Sequence, residues 1–163
     1  MAILCLAGLF LLLLGGVAVA AATFNKCAKA CEEGWAKNGD HCFYWGIEKK
    51  NWADAEDFCQ MENGHLASVT SNATRQHVEE GARRRGLGNV WLGGHDIEGE
   101  GVWKWTDSTP WEFTFWSPSN PDNHRGNQDC LQYDHDKWKW DDDFCTRQKS
   151  FVCSKKSKEI CSG

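Results

Sequence analysis

The chain carries no excess of positive charge. Its 18 basic and 23 acidic side chains leave a net charge of -5, a poor match for the phosphate backbone of nucleic acid. It has no HExxH, no GxSxG and no Cys-His nucleophile pattern, so the sequence shapes of metalloprotease, serine-hydrolase and thiol chemistry are missing. Within Trp116 to Cys145 no His or Cys pair stands at zinc spacing. Internal repeats are absent, and beyond the N-terminal segment no long apolar run exists. These absences argue against an enzyme, a nucleic-acid binder and a membrane span in the mature chain.

The N-terminal segment reads as a secretory leader over residues 1–22. Ile3 to Leu14 is apolar, Gly15-Gly16 breaks the run, and the small residues Ala18-Val19-Ala20 and Ala21-Ala22 fit a cleavage site. The usual Lys or Arg before the run is missing. An uncleaved membrane anchor is the rival reading, but the apolar core is short for a span. Cleavage removes Cys5 and leaves Cys27, Cys31, Cys42, Cys59, Cys130, Cys145, Cys153 and Cys161. An even count behind a leader indicates disulfides and an extracellular, secreted protein. Eight cysteines allow on the order of a hundred full pairings, and spacing alone does not choose among them.

The 163 residues suit one domain after the leader. Residues 23–30 are a lead-in, 31–153 the domain, and 154–163 a polar, basic tail. The pattern is α+β. A hairpin turns at Asn38-Gly39-Asp40. Asn51 caps a helix to about Met61, with Trp52, Ala55, Phe58 and Cys59 on its apolar face. Leu66 to Val69 reads as a short strand. Ser71 caps a second helix over about 72–84, whose apolar face (Ala73, Val78, Ala82) is thin. Its end, Arg83-Arg84-Arg85, reads as a solvated basic turn. Asn72-Ala73-Thr74 is an N-glycosylation acceptor sequence. Val90 to Gly94, Val102 to Trp105, Leu131 to Tyr133, Lys137 to Trp140 and Ser150 to Cys153 read as strands. Trp138 reads as a packed tryptophan. Residues 106–129 show little periodicity, which in a compact domain marks a functional loop.

Within Trp116 to Cys145, oxygen side chains gather in two places. One is Asn120-Pro121-Asp122, followed by Gln128 and Asp129. The other is Trp140-Asp141-Asp142. An inventory of many oxygens without a zinc pair suits a hard cation such as Ca²⁺.

Here the chain resembles the C-type lectin-like domain family. The residues that carry the resemblance are Cys31…Gly34-Trp35…Cys42, the helix ending at Cys59, Val90-Trp91-Leu92-Gly93-Gly94, Asn120-Pro121-Asp122, Asp129-Cys130, Trp140-Asp141-Asp142…Cys145 and Phe151-Val152-Cys153. Soluble fish lectins and the related type II antifreeze proteins look similar. The resemblance implies two helices, two small antiparallel sheets and a long calcium-binding loop. It also implies disulfides Cys31–Cys42, Cys59–Cys153 and Cys130–Cys145. Cys27 and Cys161 lie outside that framework. The family brings its termini together, so an intrachain Cys27–Cys161 bond is expected, against a disulfide-linked dimer.

Carried over by position, the family's sugar-binding calcium would sit on Asn120, Asp122, Gln128, Asp141 and Asp142, with Pro121 cis. Asn120, Asp122, Gln128 and Asp141 would also meet the sugar. Gln128 replaces the usual Glu and Asp141 the usual Asn, so Asp122, Asp141 and Asp142 still offset a divalent ion. An auxiliary calcium would use Asp96, Glu100, Asn123, Gln128 and Asp129. The amide-then-carboxylate order of Asn120-Pro121-Asp122 is the family's galactose order. His124-Arg125-Gly126 after it is closer to the mannose-type loop, and the balance favours galactose. The expected function is a secreted, calcium-dependent lectin that recognises glycans on microbes. Clustering strengthens weak single sites, so a homo-oligomer fits this reading. The alternatives are ice binding at the same loop and a lectin-like domain that binds protein without sugar.

Overall fold

The computed structural model describes residues 27–134 and 136–161. The expected leader lies outside them. Chain order runs β1 (Cys27–Ala30), β2 (Ala36–Asn38), β3 (His41–Lys50), α1 (Trp52–Met61), β4 (His65–Leu66), α2 (Asn72–Arg84) and β5 (Val90–His95). It continues with β6 (Lys104–Trp105), β7 (Cys130–Asp134), β8 (Lys139–Asp143), β9 (Lys149–Lys156) and β10 (Lys158–Cys161).

The two expected sheets are present as two antiparallel halves. One joins β2, β3, β9 and β4; the other joins β6, β5, β7 and β8. Two parallel rungs, Val90 with Ser150 and Trp91 with Phe151, connect them into one eight-stranded sheet. A separate ribbon pairs β1 with β10. It takes the lead-in and part of the tail into regular structure, which their polar sequences did not signal.

Both helices start where their caps dictate. The Asn51 side chain accepts the Asp54 N–H at 2.8 Å, and the Asp54 carboxylate accepts from Asn51 Nδ2 at 2.7 Å. Trp52, Ala55, Glu56 and Cys59 then fall on one buried face. Ser71 Oγ accepts from the Thr74 N–H at 3.2 Å. The thin apolar face of α2 is compensated by close approach. Gly81 lets the helix lie on Trp45 of β3, where an added Cβ would meet the ring at 2.1 Å. The Trp45 indole N–H donates to Val78 O at 3.1 Å, and Arg85 lies 4.5 Å over the ring.

Two apolar clusters result. One holds Trp45, Val78, Leu92, Trp105, Leu131, Tyr133 and Trp140 under α2. The other holds Trp52, Cys59, Trp91, Phe151 and Cys153 under α1. Three disulfides join the expected partners. Cys31–Cys42, Cys59–Cys153 and Cys130–Cys145 have Cα separations of 5.6, 5.5 and 5.2 Å.

Three strands differ from expectation. Leu66 to Val69 is a strand only over β4, although Ala67 N–H still bonds Val152 O at 2.7 Å. Val102 and Trp103 precede β6 rather than belong to it. The strand expected at Lys137 to Trp140 is displaced to β8, because Trp138 adopts a left-handed φ of 50° that ends a turn. Trp138 is half-buried and carries Arg83 over its ring at 3.9 Å, so that arginine is engaged rather than simply solvated.

Two outcomes are expected. Gly81→Ala should destabilise the protein by about 1–3 kcal/mol in urea unfolding, because the Trp45 ring is pinned. A gain of about 1 kcal/mol, the helix-propensity value alone, would contradict this packing. Second, β1 and β10 set Cys27 opposite Cys161, a register whose spacing suits a disulfide. A non-reducing gel should show a monomer, and peptide mapping a Cys27–Cys161 link. A band at twice the monomer mass would favour the interchain bond.

Candidate functional site

The site is built at the open edge of β8. That strand pairs β7 on one side only. On the other side the chain between β6 and β7 lies parallel to it for one rung, Trp116 with Trp140. The Trp140 N–H bonds Phe115 O at 2.9 Å, and the Ser117 N–H bonds Trp140 O at 2.8 Å. This rung brings Asn120-Pro121-Asp122 beside Asp141-Asp142. The Asn120–Pro121 peptide is cis.

An aromatic layer backs the rung. Trp140 is fully buried and packs edge-on against Trp105 and Trp116, with Trp111 also in contact. The tryptophans of the aperiodic segment therefore act as the floor of the loop.

Asp142 joins strand and loop. Its carboxylate is 1% exposed. It accepts the N–H of Asp122 at 3.0 Å and of Asn123 at 2.6 Å. The His124 N–H donates to Asp122 Oδ1 at 3.0 Å and to Gln128 Oε1 at 2.7 Å. The Gln128 N–H donates to Asn123 Oδ1 at 3.0 Å. Asp122, Asn123, Gln128 and Asp142 thus form one hydrogen-bonded group around a short turn at His124–Gly126.

Asp141 is placed differently. Successive residues of a strand point to opposite faces, and its carboxylate accepts from Gln132 Nε2 of β7 at 2.8 Å. Asn120 is half-buried, and its N–H bonds Ser117 O at 3.1 Å. The auxiliary residues adjoin the loop. Asn123 Nδ2 donates to the Glu100 carboxylate. The Asp96 N–H bonds Asp129 O at 3.2 Å. Asp96 Oδ2 accepts the Gly101 N–H at 2.8 Å, whereas its buried Oδ1 has no partner.

The electrostatics favour a cation here. Burial raises the Asp96 carboxyl above its ordinary value, and the charges of Asp129 and Asp142 add to this. Loss of hydration, then the charges of Asp96, Asp129 and Asp142, raises Glu100. Burial, then Asp142 and Asp134, raises Asp141. Among the described residues, no three His, Cys, Asp or Glu side chains converge into a ready metal cage. The donors are hard oxygens, one is orphaned, and their charges repel one another. That chemistry fits a divalent oxygen-loving ion.

Sequence reading missed the groups behind the loop. Asp143, 1% exposed, lies next in the run of three aspartates. It pairs with Lys149 at 2.5 Å and Arg147 at 2.9 Å. The run of aspartates was the available signal, but nothing in it separates a structural carboxylate from a binding one. Asn72 is exposed at the first turn of α2, with Oδ1 accepting from Arg75 Nε at 3.3 Å. Among the described residues no helix is long and apolar enough to cross a membrane.

Residues 48–155 match the family model for the lectin C-type domain. The chain belongs to the C-type lectin family, whose members bind carbohydrate rather than catalyse reactions. It is 28% identical to the galactose-specific lectin nattectin of Thalassophryne nattereri, over 90% of this chain and 93% of nattectin. It is 35% identical to asialoglycoprotein receptor 1 of Pongo abelii over 76% of this chain, but spans less than half, 43%, of that receptor. Among solved structures, herring type II antifreeze protein aligns with a TM-score of 0.74 at 29% identity, covering 78% of this chain and all 100% of the other.

The raised carboxyls fix a sign. A carboxyl whose folded pKa lies above its unfolded value costs stability when charged, and the cost disappears as pH falls through the folded pKa. In EDTA at neutral pH, Asp96→Asn should therefore raise Tm, by about 2–4 °C per kcal/mol of relieved penalty. The gain should vanish by about pH 4. Burial depresses His77 and His95; His77 cancels between the two proteins, whereas His95 feels the Asp96 charge directly and is depressed further when that charge is removed. Thermal melts of the pair across this range decide it; a pH-independent difference would contradict the charge argument.

Proposed function

We propose that the protein is a secreted, calcium-dependent lectin with galactose-type preference. One observation carries the reading: the segment from Asn120 to Asn123 is held against Asp142 by two backbone hydrogen bonds, from the Asp122 and Asn123 N–H groups, to that buried carboxylate. Asn120, Asp122, Gln128 and Asp142 are the residues that would hold the ion, and Asp141 would join them by giving up its bond from Gln132 Nε2. Asp96, Glu100, Asn123 and Asp129, with Gln128, would hold an auxiliary one. Bound calcium supplies a Lewis-acidic centre for two sugar hydroxyls.

The protein's own part is to sort donors from acceptors. A carboxylate only accepts, whereas an amide nitrogen only donates. Asp122 would therefore accept a hydrogen bond from one hydroxyl, and the Asn120 amide nitrogen would donate one to its neighbour. That order along the loop selects which vicinal pair fits. The relative nattectin is named galactose-specific, which supports the galactose direction for the Asn120/Asp122 order. Secretion follows from the leader, and glycans on microbes are the natural partners of such a protein. A homo-oligomer would raise the strength of single weak sites.

A second reading is kept because herring antifreeze protein shares the fold. The exposed loop residues Asp122, His124 and Arg125 argue against a flat, weakly charged ice-binding surface. A lectin-like domain that docks a protein without sugar is the third.

Retention on galactose resin in calcium, with release by EDTA, is the expected result. Asp142→Asn should weaken calcium binding by about 100-fold or more, since even outer-shell changes cost 10–100-fold. Passage through both galactose and mannose resins would overturn the sugar reading and make ice-crystal shaping the next assay.

A further inference from the structure

Gln128 stands where the family usually has a Glu, and an amide, unlike a carboxylate, has a wrong way round. With nitrogen toward a cation it would repel it. The geometry points to Asp143 as the residue that sets this orientation, so that an uncharged side chain serves as an oxygen donor. The inference rests on the calcium reading above.

The groups concerned are buried. Gln128 is 9% exposed, Asp143 1% and Lys149 8%. The Gln128 amide lies 3.3 Å from Asp143 Oδ1. A carboxylate accepts and cannot donate, so the amide atom facing it is the nitrogen. The oxygen is thereby turned to the loop, where it accepts the His124 N–H at 2.7 Å. Asp143 cannot swing away. Its Oδ1 also accepts the Phe144 N–H at 2.8 Å, and its Oδ2 is paired to Lys149 Nζ at 2.5 Å. Arg147 closes the pair from the exposed side at 2.9 Å. Lys149 is itself seated 4.7 Å over the Trp91 ring. The chain Lys149–Asp143–Gln128 thus runs from the core under α1 to the loop. Asp143 is a positioning residue: it acts on the loop only through Gln128.

The test is a double-mutant cycle read by calcium titration calorimetry, with urea midpoints followed in parallel. Asp143→Asn should lower calcium affinity about 10-fold in the natural protein, the size expected of an outer-shell partner. In a Gln128→Glu background the same change should cost less than about 2-fold or even raise affinity, because the two oxygens of a carboxylate are equivalent and the like charge of Asp143 beside Glu is removed. A merely structural role for Asp143 would weaken both backgrounds alike. Equal losses, or no loss in either, would overturn the inference.

Should Asp143→Asn fail to fold, the natural protein in EDTA decides the matter by NMR. The Gln128 side-chain NH₂, assigned by its disappearance in Gln128→Glu, should be protected from exchange with solvent, with a contact to the Lys149 or Phe144 protons beside Asp143. Exchange as fast as that of an exposed glutamine, without that contact, would mean that the amide is not held. If the natural protein binds no calcium at all, the functional reading falls, and the NMR result still judges the orientation of the amide.

Discussion

A single buried carboxylate organises the loop. Asp142 sits on the edge strand β8, on the same face as Trp140, and takes two N–H groups of an otherwise aperiodic segment. A charge this deep is tolerable only with partners. The loop supplies them by backbone, which ties its course to the strand and not to any helix or sheet of its own. The rung between Trp116 and Trp140 fixes where the loop begins. The Cys130–Cys145 bond ties its far end to the chain just beyond β8. Between these anchors the chain has little freedom despite its irregular form.

The protein treats its carboxylates in two ways. Some have cations of their own. Asp143 has Lys149 and Arg147. Glu32 has Lys155 and Lys158, whose hydrogen bonds and charges pull its carboxyl down to about 2. Others, around the loop, are set among their own kind. Asp96, Glu100 and Asp141 are each raised by burial or lost hydration and by neighbouring acids. A fold that only needed stability would gain by removing such groups. Their concentration beside a loop floored by tryptophan is what a site for an external cation requires.

Much of this was legible in the sequence, for local reasons. Asn51 and Ser71 are strong caps, and they place the starts of α1 and α2. Asn38-Gly39 marks its hairpin because Gly39 adopts a left-handed φ of 58°. What escaped depends on contacts between distant segments. The β1–β10 ribbon joins two polar ends whose residues carry no apolar alternation. Trp111 lies in the aperiodic segment, and only the closed loop shows that it packs on Trp103 and Trp105 beneath it. Asp141 looks like Asp142 in the sequence, yet strand alternation sends it to Gln132. Asp143 looks like both and is committed to Lys149.

Fold alone leaves the ligand open, since lectin and antifreeze relatives share it. The selective element is direction. Three amides near the loop each face a carboxylate: Gln128 faces Asp143, Asn123 faces Glu100 and Gln132 faces Asp141. Each nitrogen is thereby assigned, and each oxygen is sent elsewhere. Gln128 Oε1 goes to His124, Asn123 Oδ1 to the Gln128 N–H, and Gln132 Oε1 to Asn89. A sugar's hydroxyls are ambivalent, able to give or take a hydrogen bond, so they adapt to whichever pattern is rigid. In the proposed site the rigid partner would be the protein, whose acid–amide pairs brace the turn that carries Asp122.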